Sequence, residues 1–186
     1  MKKLLILIAV FISNIALAVE SDKIFKLYTN NGKDEYCATA FFVSETRVLT
    51  AAHTFKHKTF NHFILRNGKF ISIKMVKIDK HADIAVLECS VEDKNNSFFE
   101  LNTALPDEGS QVGAIGFKME DKFLTDLKET VVSIGERIDC RPDGVDGMSG
   151  CPLVDSSGRA IGMLVTGWGG TSHSVKASDL KSSLER

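Results

Sequence analysis

The sequence predicts an all-β fold, a pair of barrels or a sandwich, ending in one short helix. Three observations carry that expectation. Many short β-rich runs are separated by turn signals, among them Asn67-Gly68 and Ser156-Ser157-Gly158. Only residues 177–184 read as a helix, polar along most of their length with Leu180 and Leu184 four apart. The length, 186 residues, suits one domain or two small barrels sharing a core, and no solenoid repeat or low-complexity stretch interrupts it.

Taken in order, residues 24–29 read as a first strand, followed by a turn at 30–34 and a second strand at 37–43. A turn at 44–46 leads to a third strand at 47–50, after which Ala51-Ala52-His53 switches to a short helical turn. Strands at 62–66 and 70–78 are joined at Asn67-Gly68, and the strand opening at 83–87 has Asp83 at its mouth. The polar stretch 92–97 begins a connection to a second half. That half has strands near 111–117, 130–138, 151–154, 160–166 and 173–175, then the helix.

Residues 1–18 read as a leader that is removed. Lys2 and Lys3 give a positive start, residues 4–12 an apolar run, and Ala16-Leu17-Ala18 the small residues of a cleavage site. The run is too short for a membrane span. Cleavage after Ala18 leaves residues 19–186 and, with Lys2 and Lys3 gone, takes the net charge from −1 to −3. A mildly acidic chain without a basic patch excludes nucleic acid and anionic membrane as partners. The Met-Lys-Lys start has a bacterial look, so a periplasmic or secreted monomer is expected. An even count of cysteines, Cys37, Cys89, Cys140 and Cys151, suggests two disulfides in an exported protein, with three connectivities open; buried thiols are the alternative. Their spacing fits no zinc pattern.

The chemistry centres on Gly147-Met148-Ser149-Gly150-Cys151-Pro152. Glycines flanking the serine segment let the backbone turn sharply and leave the hydroxyl exposed. Gly147 can adopt torsions that set its N–H beside that of Ser149, and two parallel N–H groups form an oxyanion hole. Upstream lie Leu49-Thr50-Ala51-Ala52-His53 and Asp83-Ile84-Ala85-Val86-Leu87. Taken singly, each motif is better read as structure: a core histidine, a capping aspartate, a tight turn. Together, in the order His, Asp, Ser, they resemble the trypsin-like serine peptidases of the chymotrypsin fold, over nearly the whole mature chain.

That resemblance implies two six-stranded antiparallel β-barrels, about 19–95 and 106–176, a C-terminal helix at about 177–184, and an active site between the barrels. It implies His53 as general base, Asp83 as its orienting carboxylate, Ser149 as nucleophile, and the N–H groups of Gly147 and Ser149 as the oxyanion hole. A serine hydroxyl needs a base to take its proton as it attacks, and histidine titrates near the working pH. The expected activity is that of an exported serine endopeptidase acting on polypeptides through an acyl-enzyme, with no cofactor or metal. The alternative is a non-catalytic binding protein on the same fold.

Departures from the digestive trypsins refine the resemblance. Met148 stands where they carry an aspartate that pairs with a newly released N-terminus, so that activation switch is not expected. A residue of this kind is closer to the bacterial glutamyl endopeptidases and the periplasmic heat-shock proteases. Thr54 replaces a cysteine that would pair with Cys37, and the fold implied by the resemblance makes Cys151 the candidate partner. The substrate pocket is expected to be lined by Asp143, Val165 and Gly167. Asp143 would favour Arg or Lys if buried; alternatively it is a loop acid neutralised by Arg141. His173 alone is near enough to serve glutamyl specificity. His57, His62 and His81 read as solvated histidines rather than a metal site.

Overall fold

The computed structural model describes residues 22–185, apart from 31–32, 34, 56–60, 67–68 and 121. The expected leader, the hairpin tip Asn67-Gly68 and His57 lie outside the described residues.

Six antiparallel strands close the first barrel in the order β1-β2-β3-β6-β5-β4. They are β1 (Ile24–Asn30), β2 (Glu35–Phe42), β3 (Arg47–Ala51), β4 (Asn61–Arg66), β5 (Lys69–Asp79) and β6 (Ile84–Cys89). Six more close the second in the order β10-β11-β12-β9-β8-β7. These are β7 (Gln111–Phe117), β8 (Leu124–Ile134), β9 (Ile138–Arg141), β10 (Pro152–Val154), β11 (Ala160–Trp168) and β12 (Thr171–Lys176), followed by helix α1 (Ala177–Glu185). This is the chymotrypsin-like pair of barrels that the resemblance implied.

The strand pattern explains how the barrels adhere. Successive side chains of a strand point to opposite faces. On β2, Ala40 and Phe42 fill the first barrel with Val48 of β3 and Leu87 of β6, while Phe41 points outward. Phe41 joins Leu49, Ala51, Ile84 and Val86 in a second layer that meets Ile115, Val154, Met163, Val165 and Val175 of the other barrel. Strands buried on both faces read as near-continuous apolar runs, as 47–52 and 84–87 do. Leu180 of α1 and Phe99 of the connection seal this shared layer, Phe99 edge-on to Phe41 at 5.8 Å.

Two expectations are corrected. Residues 130–138 do not form one strand. A turn at 135–137 breaks the run, Gly135 N–H bonding to the Arg137 carbonyl at 3.0 Å, and the chain doubles back as β9 against β8. Strand β8 also begins earlier, at Leu124, where half-exposed polar residues hid it in the sequence. Second, the four cysteines form no disulfide, so the Cys37–Cys151 pairing is wrong. Cys151 is fully buried in the interior of the second barrel with Cys140, Cys89 lies in that of the first, and Cys37 is half-buried on β2. Burial pushes Cys140 up to about 12, with Glu129 adding to the shift, and raises Cys151 well above the ordinary thiol range. Such groups stay as thiols and lack the thiolate that disulfide exchange requires.

Candidate active site

Strand β3 ends at Ala51 and a 3-10 turn, Ala52–Phe55, lifts His53 out of the first barrel. Asp83 stands at the mouth of β6 with φ of +61°, a left-handed torsion that asparagine and aspartate tolerate best. This torsion brings both carboxylate oxygens to His53. Asp83 Oδ1 accepts the His53 backbone N–H at 2.7 Å, and Oδ2 accepts Nδ1–H at 2.8 Å. The ring is thereby fixed in position and in tautomer, with Nε2 left as the acceptor.

Ser149 comes from the second barrel, on the loop between β9 and β10. Gly147 and Gly150 have φ of +92° and +86°, in the region that favours glycine. The loop's carbonyls are all engaged away from the serine. That of Asp146 accepts from Met119 N–H at 2.8 Å, Gly147 from Thr39 Oγ1 at 3.0 Å, Met148 from Cys151 N–H at 2.9 Å, and Ser149 from Thr39 N–H at 2.9 Å. Among the described residues, the N–H groups of Gly147 and Ser149 donate to no protein acceptor. Met148 is 0% exposed, packed in the interior cluster of the second barrel. An apolar anchor thus holds the loop where an ionic one is absent.

His53, Asp83 and Ser149 line one cleft of about 690 Å³ between the barrels, with Val165 and Gly167. The Ser149 hydroxyl donates to the Val165 carbonyl at 3.4 Å, and among the described residues no hydrogen bond joins it to His53. Asp143 does not line this cleft. It packs directly behind Gly167, where a Cβ would strike its Oδ1. That oxygen is buried without a hydrogen-bond partner, while Oδ2 accepts Gly170 N–H at 3.2 Å. Arg141 makes no ion pair with it among the described residues.

His173 faces outward from β12, bonded through Nδ1 to Asp139 Oδ1 at 2.7 Å and stacked by Trp168 at 5.6 Å. Burial works against ionisation of Asp139. Hydrogen bonds from Ser133 and His173, with the charges of His173 and Arg137, nevertheless hold it below the ordinary carboxylate range. His62 is half-buried, its ring edge-on to Phe55 at 4.9 Å, rather than solvated. Inside the second barrel Glu129 accepts from Ser172 Oγ at 3.0 Å. Burial raises it from 4.5 to about 7, against the hydrogen bonds of Ser172 and Cys140 and with help from the charge of Asp143.

Residues 38–163 match the family model described as a trypsin-like peptidase domain. The chain belongs to that family. It is 26% identical over 171 residues to the zebrafish (Danio rerio) serine protease HTRA1A, a match covering 84% of this chain and 36% of that protein. The chain therefore spans about a third of that relative's length. Among solved structures, the active form of the Rv3671c protease from M. tuberculosis superposes with a TM-score of 0.81 at 18% identity, covering 93% of this chain and 85% of that one. Its inactive form superposes almost as well, at 0.79 and 19%, covering 94% and 93%. A serine endoprotease from Yersinia pestis gives 0.77 at 19%, covering 88% and 62%. These likenesses establish the fold.

Reading the sequence alone missed three parts of the peptidase's site. Thr39, fully buried on β2, accepts Phe117 N–H at 3.0 Å and holds the serine loop through its side chain and backbone. Its one signal is a lone polar residue in the run Ala38-Thr39-Ala40-Phe41-Phe42. Met119 acts through its backbone N–H, which no side-chain pattern encodes. Arg137 lines the cleft from the β8–β9 turn, which the sequence reading took for strand.

Proposed function

We propose that the chain is an exported serine endopeptidase that cleaves polypeptides through His53, Asp83 and Ser149. Ser149 Oγ attacks the substrate carbonyl carbon while His53 Nε2 takes its proton. The tetrahedral oxyanion lies against the N–H groups of Gly147 and Ser149. The C–N bond then breaks, His53 returns the proton to the leaving amine, and water, activated by His53, hydrolyses the acyl-enzyme. Asp83 keeps the proton on Nδ1 and stabilises the imidazolium. Val165 and Gly167 flank the bound substrate, and Asp143 is the carboxylate behind the pocket wall. Residues 1–18 act as the leader that directs export to the periplasm or beyond.

One observation carries this reading. The carbonyls of residues 146–149 all bond outward, while among the described residues the N–H groups of Gly147 and Ser149 stay unused beside a half-buried serine that lines the cleft. Such a donor is typically worth about 3–4 kcal/mol to the transition state. Before attack the Ser149 hydroxyl must turn from the Val165 carbonyl toward His53, a rotation about one side-chain bond.

The test is a fluorophosphonate probe on residues 19–186, read by intact mass, with Ser149→Ala as control. One adduct, absent in the control, is expected. A folded protein that takes no adduct overturns the reading.

A further inference from the structure

The cleft carries two cationic side chains, Arg137 and Lys80, that the catalytic steps do not use. Arg137, from the turn between β8 and β9, lines it together with Lys80 and His81, from the turn between β5 and β6. A second cavity, of about 390 Å³, adjoins the first and shares His81 and Arg137 with it, but none of the serine-loop residues. Its further charges are one cation, Lys176, and two carboxylates, Glu136 and Asp179. Arg137 is thus the cation that the two cavities share, with Lys80 on the cleft side of it.

Arg137 Nη1 is buried without a hydrogen-bond partner. Among the described residues no carboxylate pairs with Arg137, Lys80 or His81. Asp139 feels the charge of Arg137, yet its oxygens are taken by Ser133 Oγ at 2.7 Å and His173 Nδ1 at 2.7 Å. Asp83 has both oxygens on His53. Asp146 lies on the serine loop, away from the second cavity. A buried guanidinium N–H without an acceptor is costly, and a carboxylate offers it two parallel bonds.

We propose that the junction of the two cavities is a subsite for an Asp or Glu side chain of the polypeptide substrate, gripped by Arg137 and supported by Lys80. The subsite rests on the peptidase reading and names the substrate class for it. It operates within an overall acidic protein, so the preference is local to one substrate position.

The experiment digests a random peptide library with the wild-type enzyme and maps the cuts by mass spectrometry. Enrichment of Asp and Glu at one position is expected. At that position a peptide with Asp should exceed its Asn twin in kcat/KM about tenfold, mostly through KM, and less so in high salt. Arg137→Gln should bring the ratio near one; Lys80→Gln, a change at an exposed side chain, should lower it two- to threefold. The ratio cancels any general change in turnover, and Lys80→Gln serves if Arg137→Gln does not fold. No acidic enrichment, or a ratio unmoved by either variant, overturns the subsite. Probe labelling of Ser149 without cleavage of any peptide overturns it alone; absence of both labelling and cleavage overturns the peptidase reading with it.

Discussion

Thr39 shows how one side chain can align two barrels. Its hydroxyl accepts from Phe117 and donates to Gly147, its N–H donates to Ser149, and its carbonyl accepts from Thr50 Oγ1 at 2.7 Å. Thr39→Val keeps the shape and the backbone bonds but frees the Gly147 carbonyl. The expected result is a drop of about tenfold in kcat with KM little changed, recovered by Thr39→Ser, in steady-state assays of any cleaved peptide. A purely structural role would instead lower the melting temperature and spare kcat. Asp83→Asn addresses the tautomer. An amide offers His53 the wrong partner, and kcat should fall about 10⁴-fold with the fold intact by circular dichroism. His53, Asp83 and Ser149 were legible because each sits in a local motif whose chemistry needs that residue. Thr39 was not, because its partners lie 78 and 108 positions away.

At the scale of elements, the serine loop is held by its neighbours more than by itself. A Cβ on Gly147 would run into the backbone N of Met119, and Lys26 Nζ ties the Met119 carbonyl to the first barrel at 2.7 Å. Gly147→Ala must therefore shift the loop against residues 118–119. Losing one oxyanion donor predicts a 10²- to 10³-fold slower reaction of Ser149 with the fluorophosphonate, and an unchanged far-ultraviolet spectrum checks the fold. The strands were legible where burial on two faces made apolar runs, as at β3 and β6. Residues 124–129 hid because Thr125, Asp126 and Lys128 break the alternation, and the turn at 135–137 because Val131 and Ile138 flank it with β-formers. The disulfide expectation failed for another reason. An even cysteine count says nothing about which thiols face an apolar interior.

Over the whole molecule, the buried acid Glu129 ties stability to pH. In the folded state it keeps its proton up to about pH 7, whereas the unfolded carboxyl loses it near 4.5. Between those values the folded state binds more protons, so stability falls as pH rises and levels off above about 7. The loss is ~3 kcal/mol in sum. Glu129→Gln should flatten this slope, with thermal melts at pH 5 and pH 8 as the measurement. Since no disulfide constrains the chain, a reducing agent should leave those melts unmoved.

The apolar layer shared by the barrels has a consequence for the life of a peptidase among its own copies. Peptidases attack opened chain, and the supply of opened chain is set by how readily a part of the fold lets go. Here neither barrel can part from the other without baring Phe41, Leu49, Ile84, Met163 and Val165 to water. At roughly 2 kcal/mol for each large side chain exposed, half-open forms are scarce. Amide exchange in β3 and β11 should accordingly proceed together and last. The same contact that brings His53 and Ser149 to one cleft thus keeps each molecule from becoming food for the next.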